Sequence, residues 1–221
     1  MTHLLGMLAA IALTAFCWGV YGPVLHHGRD EMESALRPFV CVGIAYFLIA
    51  VIAPVSLLVR GGEKGGWTSK GVLWSLLAGA AGALGALGVI LALTAGGRPI
   101  YVMPLVFGGA PVVNTLLTAF LNRAFGQLKA AFLAGLILVI TGAVTVLVFK
   151  PQPQAAPPAP AAAAEAPAEP SVQGVEQKGE RFLEVLLAVS LALLSWGAYG
   201  PVLHKGQAAM QGSRLRPLIC I

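Results

Sequence analysis

WGVYGPVLHHGRDEM occupies Trp18–Met32, and WGAYGPVLHKGQAAM occupies Trp196–Met210. Ten of the fifteen paired positions are identical. After a one-residue insertion the agreement resumes, with Arg37-Pro38 against Arg216-Pro217 and Cys41 against Cys220. The chain therefore contains an internal duplication whose second copy starts 178 residues after the first. What separates the copies fixes what the duplicated unit is.

The composition puts that unit in a membrane. Hydrophobic residues make up 57% of the chain and charged residues 10%, with mean hydropathy +0.83, against about 25% charged in a soluble domain. A spanning helix needs about 20 apolar residues. Six stretches qualify: Leu4–Leu25, Pro38–Val59, Val72–Ala95, Ile100–Leu121, Ala130–Phe149 and Leu183–Leu203. Five lie close together in residues 1–150. A Pro/Ala-rich segment without aromatic residues, 151–180, reads as an extended disordered linker. Residues 181–221 then restart the pattern. Leu4–Leu25 has no Lys or Arg before its apolar run, so it reads as a permanent span rather than a signal peptide.

The duplicated unit is thus five spans long. Five is odd, so a second copy begins on the opposite side of the membrane, and the two halves have inverted topology. The charges agree. The loop after the first copy, HHGRDEMESALR, carries Asp30, Glu31 and Glu33, whereas its counterpart HKGQAAMQGSRLR carries Lys205, Arg214 and Arg216 and no acid. Basic loops favour the cytoplasm, which places the N-terminus and the second copy's loop inside. Ile221 matches Val42, early in the second helix of the unit. The repeat arithmetic leaves two readings open: a piece of a protein of roughly 330 residues, or a naturally shortened product. The fold expectation is an all-α, polytopic membrane helix bundle, a five-helix inverted repeat with a truncated second half.

Trp18-Gly19 and Trp196-Gly197 sit late in the first helix of each unit. The third span, LLAGAAGALGALGVILALTAG, is rich in glycine and alanine, and the fourth reads VMPLVFGGAPVVNTLLTAFL. With the five-plus-five plan, these features resemble the drug/metabolite transporter (DMT) superfamily of EamA-like proteins. The Trp-Gly-x-x-x-Pro order followed by a polar end is also similar to its sugar-uptake and ureide-permease branches. The resemblance implies ten helices, with a substrate path between two halves.

Several residues are candidates for that path. Trp18 and Tyr21 share a helix face, as do Trp196 and Tyr199, and Asn114 is an amide inside a span; all five are candidate substrate contacts. Gly22-Pro23 and Gly200-Pro201 lack an amide donor and invite a kink at matching positions of the two copies. His26 and His204 end their helices and are candidate proton carriers. Pro104, Pro111, Asn114 and Thr118 fall on one face of the fourth span. Gly79, Gly82, Gly85 and Gly88, three apart, read as a seam for close helix packing.

No Asp, Glu, Lys or Arg lies in the interior of any span. A charged substrate or a buried carboxylate coupling site would call for one, so the expected substrate is a small, neutral, polar molecule. The three cysteines, Cys17, Cys41 and Cys220, have no metal-ligand spacing. No nucleophile–base set exists, and no cofactor, metal or nucleic-acid role is expected. Expected partners are the lipid bilayer, a small-molecule substrate and, if the chain is naturally short, a second chain or a homodimer. Compact loops without an Asn-x-Ser/Thr sequon fit a bacterial inner membrane.

Overall fold

The computed structural model describes residues 2–61, 63–149 and 173–221, and all regular structure among them is helical. Among the described residues, six helices are long and apolar enough to cross a membrane. They are α1 (Thr2–Met32), α2 (Leu36–Val59), α3 (Ser69–Thr94), α4 (Pro99–Leu121), α5 (Ala130–Val148) and α6 (Gln173–Ala209). A short helix α7 (Leu215–Ile219) follows. The spans expected from hydropathy lie inside these helices to within a residue or two at the ends, but α1 and α6 run further. α6 starts at Gln173, inside the stretch read above as linker, and 151–172 lie outside the described residues.

Apolar side chains face outward on most helices. Ile49 and Leu138 are each 71% exposed, and the most apolar windows of α1 and α5 bury nothing. In water such surface would be an aggregation hazard, whereas hydrocarbon is its proper solvent. α2 widens into π-helical turns over Phe47–Ile52, where the Ala53 amide donates to Leu48 O, five residues back. Pro54 follows and can supply no amide to the normal ladder.

The core is built from α3, α4 and α6, and its longest seam lies between α3 and α6. Along α3, a Cβ at Gly71, Gly82, Gly85 or Gly88 would meet, in turn, Met210, Tyr199, Trp196 and Ala192. At Gly206 it would meet Ser75. One position rises as its partner falls, so the two helices are antiparallel in a single register. The expected role of the glycine series, close packing, is what these contacts show. Without driving force from water, contact area and backbone approach are what hold membrane helices together.

α4 pairs with α6 in the opposite sense. Gly109 faces Leu193, Gly197 faces Val113, Gly200 faces Asn114, and Lys205 Nζ reaches Asn122 Oδ1 at 3.3 Å. Both series rise together, so α4 and α6 are parallel. α1 runs against α4: Gly22 meets Met103, and further back Trp18 meets Phe107. It follows that α1 and α6, which carry the two copies of the duplicated stretch, are antiparallel.

The turns after the two copies also agree in detail. Glu33 and Gln211, at equivalent positions, both have left-handed backbone, φ 48° and 60°. Next, Ser34 Oγ accepts from the Arg37 amide at 3.3 Å, and Ser213 Oγ accepts from the Arg216 amide at 3.2 Å. Each serine caps the start of the helix that follows.

The second turn is also tied to the α2–α3 loop. Glu63 accepts from Ser213 Oγ at 2.6 Å and from the Arg214 and Leu215 amides at 2.6 and 2.9 Å. Thr68 Oγ1 accepts from the Gly71 amide and donates to Ala209 O, each at 3.0 Å, joining the start of α3 to the end of α6. Desolvation alone would raise the Glu63 carboxyl. Hydrogen bonds from Ser213, Leu215 and Arg214 and the Arg216 charge outweigh it and hold the group below its ordinary value. A lowered folded value means the clamp is complete above the unfolded carboxyl value, about 4.3. It is lost as pH falls through the folded value. Glu63→Gln is expected to speed hydrogen exchange of the Arg214 and Leu215 amides about tenfold near neutral pH, the effect of one ordinary bond. Wild-type protein should match the variant in strong acid. Equal exchange at neutral pH would refute the clamp.

Candidate functional site: an aromatic cluster between the two copies

The duplicated tryptophans meet. Because α1 and α6 are antiparallel and cross beside α4, Trp18 and Trp196 pack edge to face with centroids 4.9 Å apart. Tyr21 touches both, at 5.7 and 5.8 Å. Phe107 of α4 stacks on Trp196 at 5.4 Å with 22° between planes. The Trp196 indole donates to Gly82 O at 3.0 Å, which fixes that ring on the wall of α3.

A cavity of about 550 Å³ opens beside the cluster, lined by Trp18, Trp196, Tyr46, Tyr199, Phe107 and Asn114 among others. No described group hydrogen-bonds the Asn114 amide, although its α6 neighbour Gly200 leaves no room for a Cβ, which would lie 2.6 Å from Asn114 Nδ2. A carboxamide offers two donors and an acceptor. In an apolar cavity, those unused sites are what a hydroxyl or amide on a small molecule can satisfy. Asn114→Leu is expected to weaken binding of such a molecule at least about tenfold, the cost of one missing bond in an apolar site. Titration calorimetry with the identified substrate would measure it, and unchanged affinity would remove Asn114 from the site.

Two further cavities share lining residues with this one. Trp18 and Phe107 also line a space of about 940 Å³ that reaches His26 and Arg98 at one end of α4. Asn114 also lines a smaller space of about 230 Å³ that reaches His204 and Lys205 at the other end. Among the described residues, no acidic side chain lines any of the three. The equivalent histidines therefore mark opposite ends of the bundle. His26 Nε2 lies 3.6 Å from Asp30, whereas His204 is exposed.

Of the residues singled out from sequence, Trp18, Trp196, Tyr199 and Asn114 line the central cavity together. Tyr21 stands behind the cluster, with its hydroxyl buried and no partner among the described residues. Pro23 and Pro201 do not break their helices, which continue through both. The adjoining glycines admit α4: Gly22 meets Met103, and Gly200 meets Asn114. Phe107 and Tyr46 were not anticipated. Phe107 is legible in hindsight, because it falls seven residues before Asn114 and four before Pro111 on the same face of α4. A mainly apolar cleft of about 640 Å³ between α2 and α3 is lined by Ile221 among others and shares Tyr46 and Gly82 with the central cavity.

Among the described residues, no group of three or more His, Cys, Asp or Glu could hold a metal ion. No family model, curated protein or solved structure matches the chain.

Proposed function

We propose that the protein belongs to a multi-pass transporter of the drug/metabolite type, which carries a small, neutral, polar metabolite by alternating access between inverted repeats. The observation that carries this reading is the meeting of Trp18 and Trp196, two copies of one residue on antiparallel helices, beside an uncharged cavity with a free amide. Sites at the interface of inverted repeats are the common plan of secondary transporters. The cavities on either side of the cluster reach opposite ends of the bundle, as a solute path requires. The membrane proposed is a bacterial inner membrane.

Reconstituted into liposomes, the protein should carry labelled neutral solutes, such as sugars or ureides, faster than empty vesicles. Flux that Trp18→Ala leaves at the wild-type rate would defeat the proposed site.

A second reading is favoured by one observation, the exposure of α1. Its apolar window buries nothing, while the equivalent helix α6 is packed on two sides. On that reading the chain is a non-transporting membrane protein that assembles with other helices. It predicts no flux from the purified chain and a stable partner in the native membrane. The intact mass of the product extracted from that membrane separates the cases: a mass above 22.8 kDa supports the larger transporter.

A further inference from the structure

α6 docks on α3 through a short set of residues. Ala188, Ala192, Trp196, Tyr199, Gly206 and Met210 meet Gly88, Gly85, Gly82, Ser75 and Gly71. Shifted by 178 positions, the set becomes Ala10, Thr14, Trp18, Tyr21, Gly28 and Met32. Five of the six are identical, and the sixth, Thr14 for Ala192, is also small. Their spacing places them along one stripe of α1. On α6 the stripe is filled, and a Cβ at Gly206 would strike Ser75. On α1 the stripe is open at its two ends: Ala10 and Thr14 are exposed, and a Cβ at Gly28 would meet nothing within 4 Å, while Trp18 and Tyr21 between them pack on Trp196.

The indoles give an independent sign of the missing neighbour. Trp196 Nε1 donates to a backbone carbonyl of α3, Gly82 O. No described group accepts from Trp18 Nε1, whose contacts are the three aromatic rings around it. An indole N–H is a donor only, and inside a bilayer water does not answer it.

We propose that this stripe of α1 is the seat of a further transmembrane helix from outside residues 1–221. That helix carries α3's chemistry: glycines in series, a serine opposite Gly28 and a backbone carbonyl opposite Trp18. It runs antiparallel to α1. A second copy of this chain is not the occupant, because α3, the only described helix with that stripe, is already filled by its own α6. The inference rests on the duplication and on the α3–α6 seam. It does not require that the protein transports anything.

The test uses the full chain in lipid nanodiscs with Cys17, Cys41 and Cys220 replaced by alanine and Gly28→Cys added. The probe is a lysine-flanked synthetic peptide of residues 69–94. Oxidation should join Gly28→Cys to a peptide bearing Ser75→Cys at least tenfold more than to one bearing Leu93→Cys, which in this register lies about 27 Å away at 1.5 Å per residue. Thr14→Leu in the chain should cut the yield about tenfold, and Phe16→Leu, off the stripe, should leave it unchanged. The proposal is overturned by a yield no higher than that of a scrambled peptide, or by equal yields at both peptide positions. Chain-to-chain disulfides without peptide, or capture at Gly206→Cys instead, overturn it as well. Flux assays read a separate quantity, so a failed crosslink with intact flux leaves the transport reading standing, and the converse also holds.

Discussion

Gly88→Leu is expected to unseat α6 from the bundle. A Cβ at Gly88 would lie 2.7 Å from the Ala192 amide nitrogen and 2.8 Å from Ala188 O. Both are backbone atoms, and no rotamer change can move them. Ordinary overpacking costs about 1–3 kcal/mol, and relief here requires separating two helices along a shared seam. The expected loss is therefore about 3 kcal/mol, at the top of that range. Unfolding in mixed detergent, followed by tryptophan fluorescence, would show the midpoint fall. Gly135→Leu is the matched control: it lies on α5, where a Cβ meets nothing within 4 Å, and it should shift the midpoint by less than about 0.5 kcal/mol. Equal behaviour of the two variants would mean that the α3–α6 seam is not the core.

Trp18→Ala is expected to reduce substrate flux at least tenfold while leaving the fold in place. The stacking lost with three aromatic neighbours is worth about 0.5–1.5 kcal/mol per pair, and tenfold corresponds to about 1.4 kcal/mol. Trp18 is only partly buried, so its removal opens no deep cavity. Trp196→Ala should lose flux and stability together, because that ring also fills the space over Gly85 and holds the bond to Gly82 O. Phenylalanine at position 18 should restore much of the flux. The two tryptophans touch, so the double variant should lose less than the product of the single losses. Independent, multiplicative losses would show that the rings do not act as one site.

The helix count and the duplication were plain in the sequence because both are written in long patterns. Runs of about 20 apolar residues need no tertiary context, and ten identities in fifteen positions survive any local ambiguity. The glycines three apart on α3 announced a packed seam but not its partner, since small residues say how near a helix can come and not which one comes. Gly22-Pro23 likewise did not name its neighbour. In the structure, Gly22 makes room for Met103, and the helix carries on. Tyr46 reaches the cavity only because α2 lies beside it, a fact of helix placement that no spacing within one helix contains. The Glu63 clamp joins residues 150 or more positions apart, beyond the reach of local signals.

The place of α6 also sets a timetable. α3 and α4 are neighbours in sequence, yet each finds its main partner in a helix made much later. A ribosome completes α3 at Thr94 and reaches Ala209 on the order of ten seconds afterwards at usual synthesis rates. For that interval the glycine face of α3 waits for α6, and α4 has α5 and lighter contacts with α1 and α3. The newborn five-helix unit must therefore wait in the bilayer as a loose assembly, open to quality-control proteases and to any stray helix with small residues. A ribosome stall within 151–172 would lengthen that exposure without altering a single contact of the finished molecule.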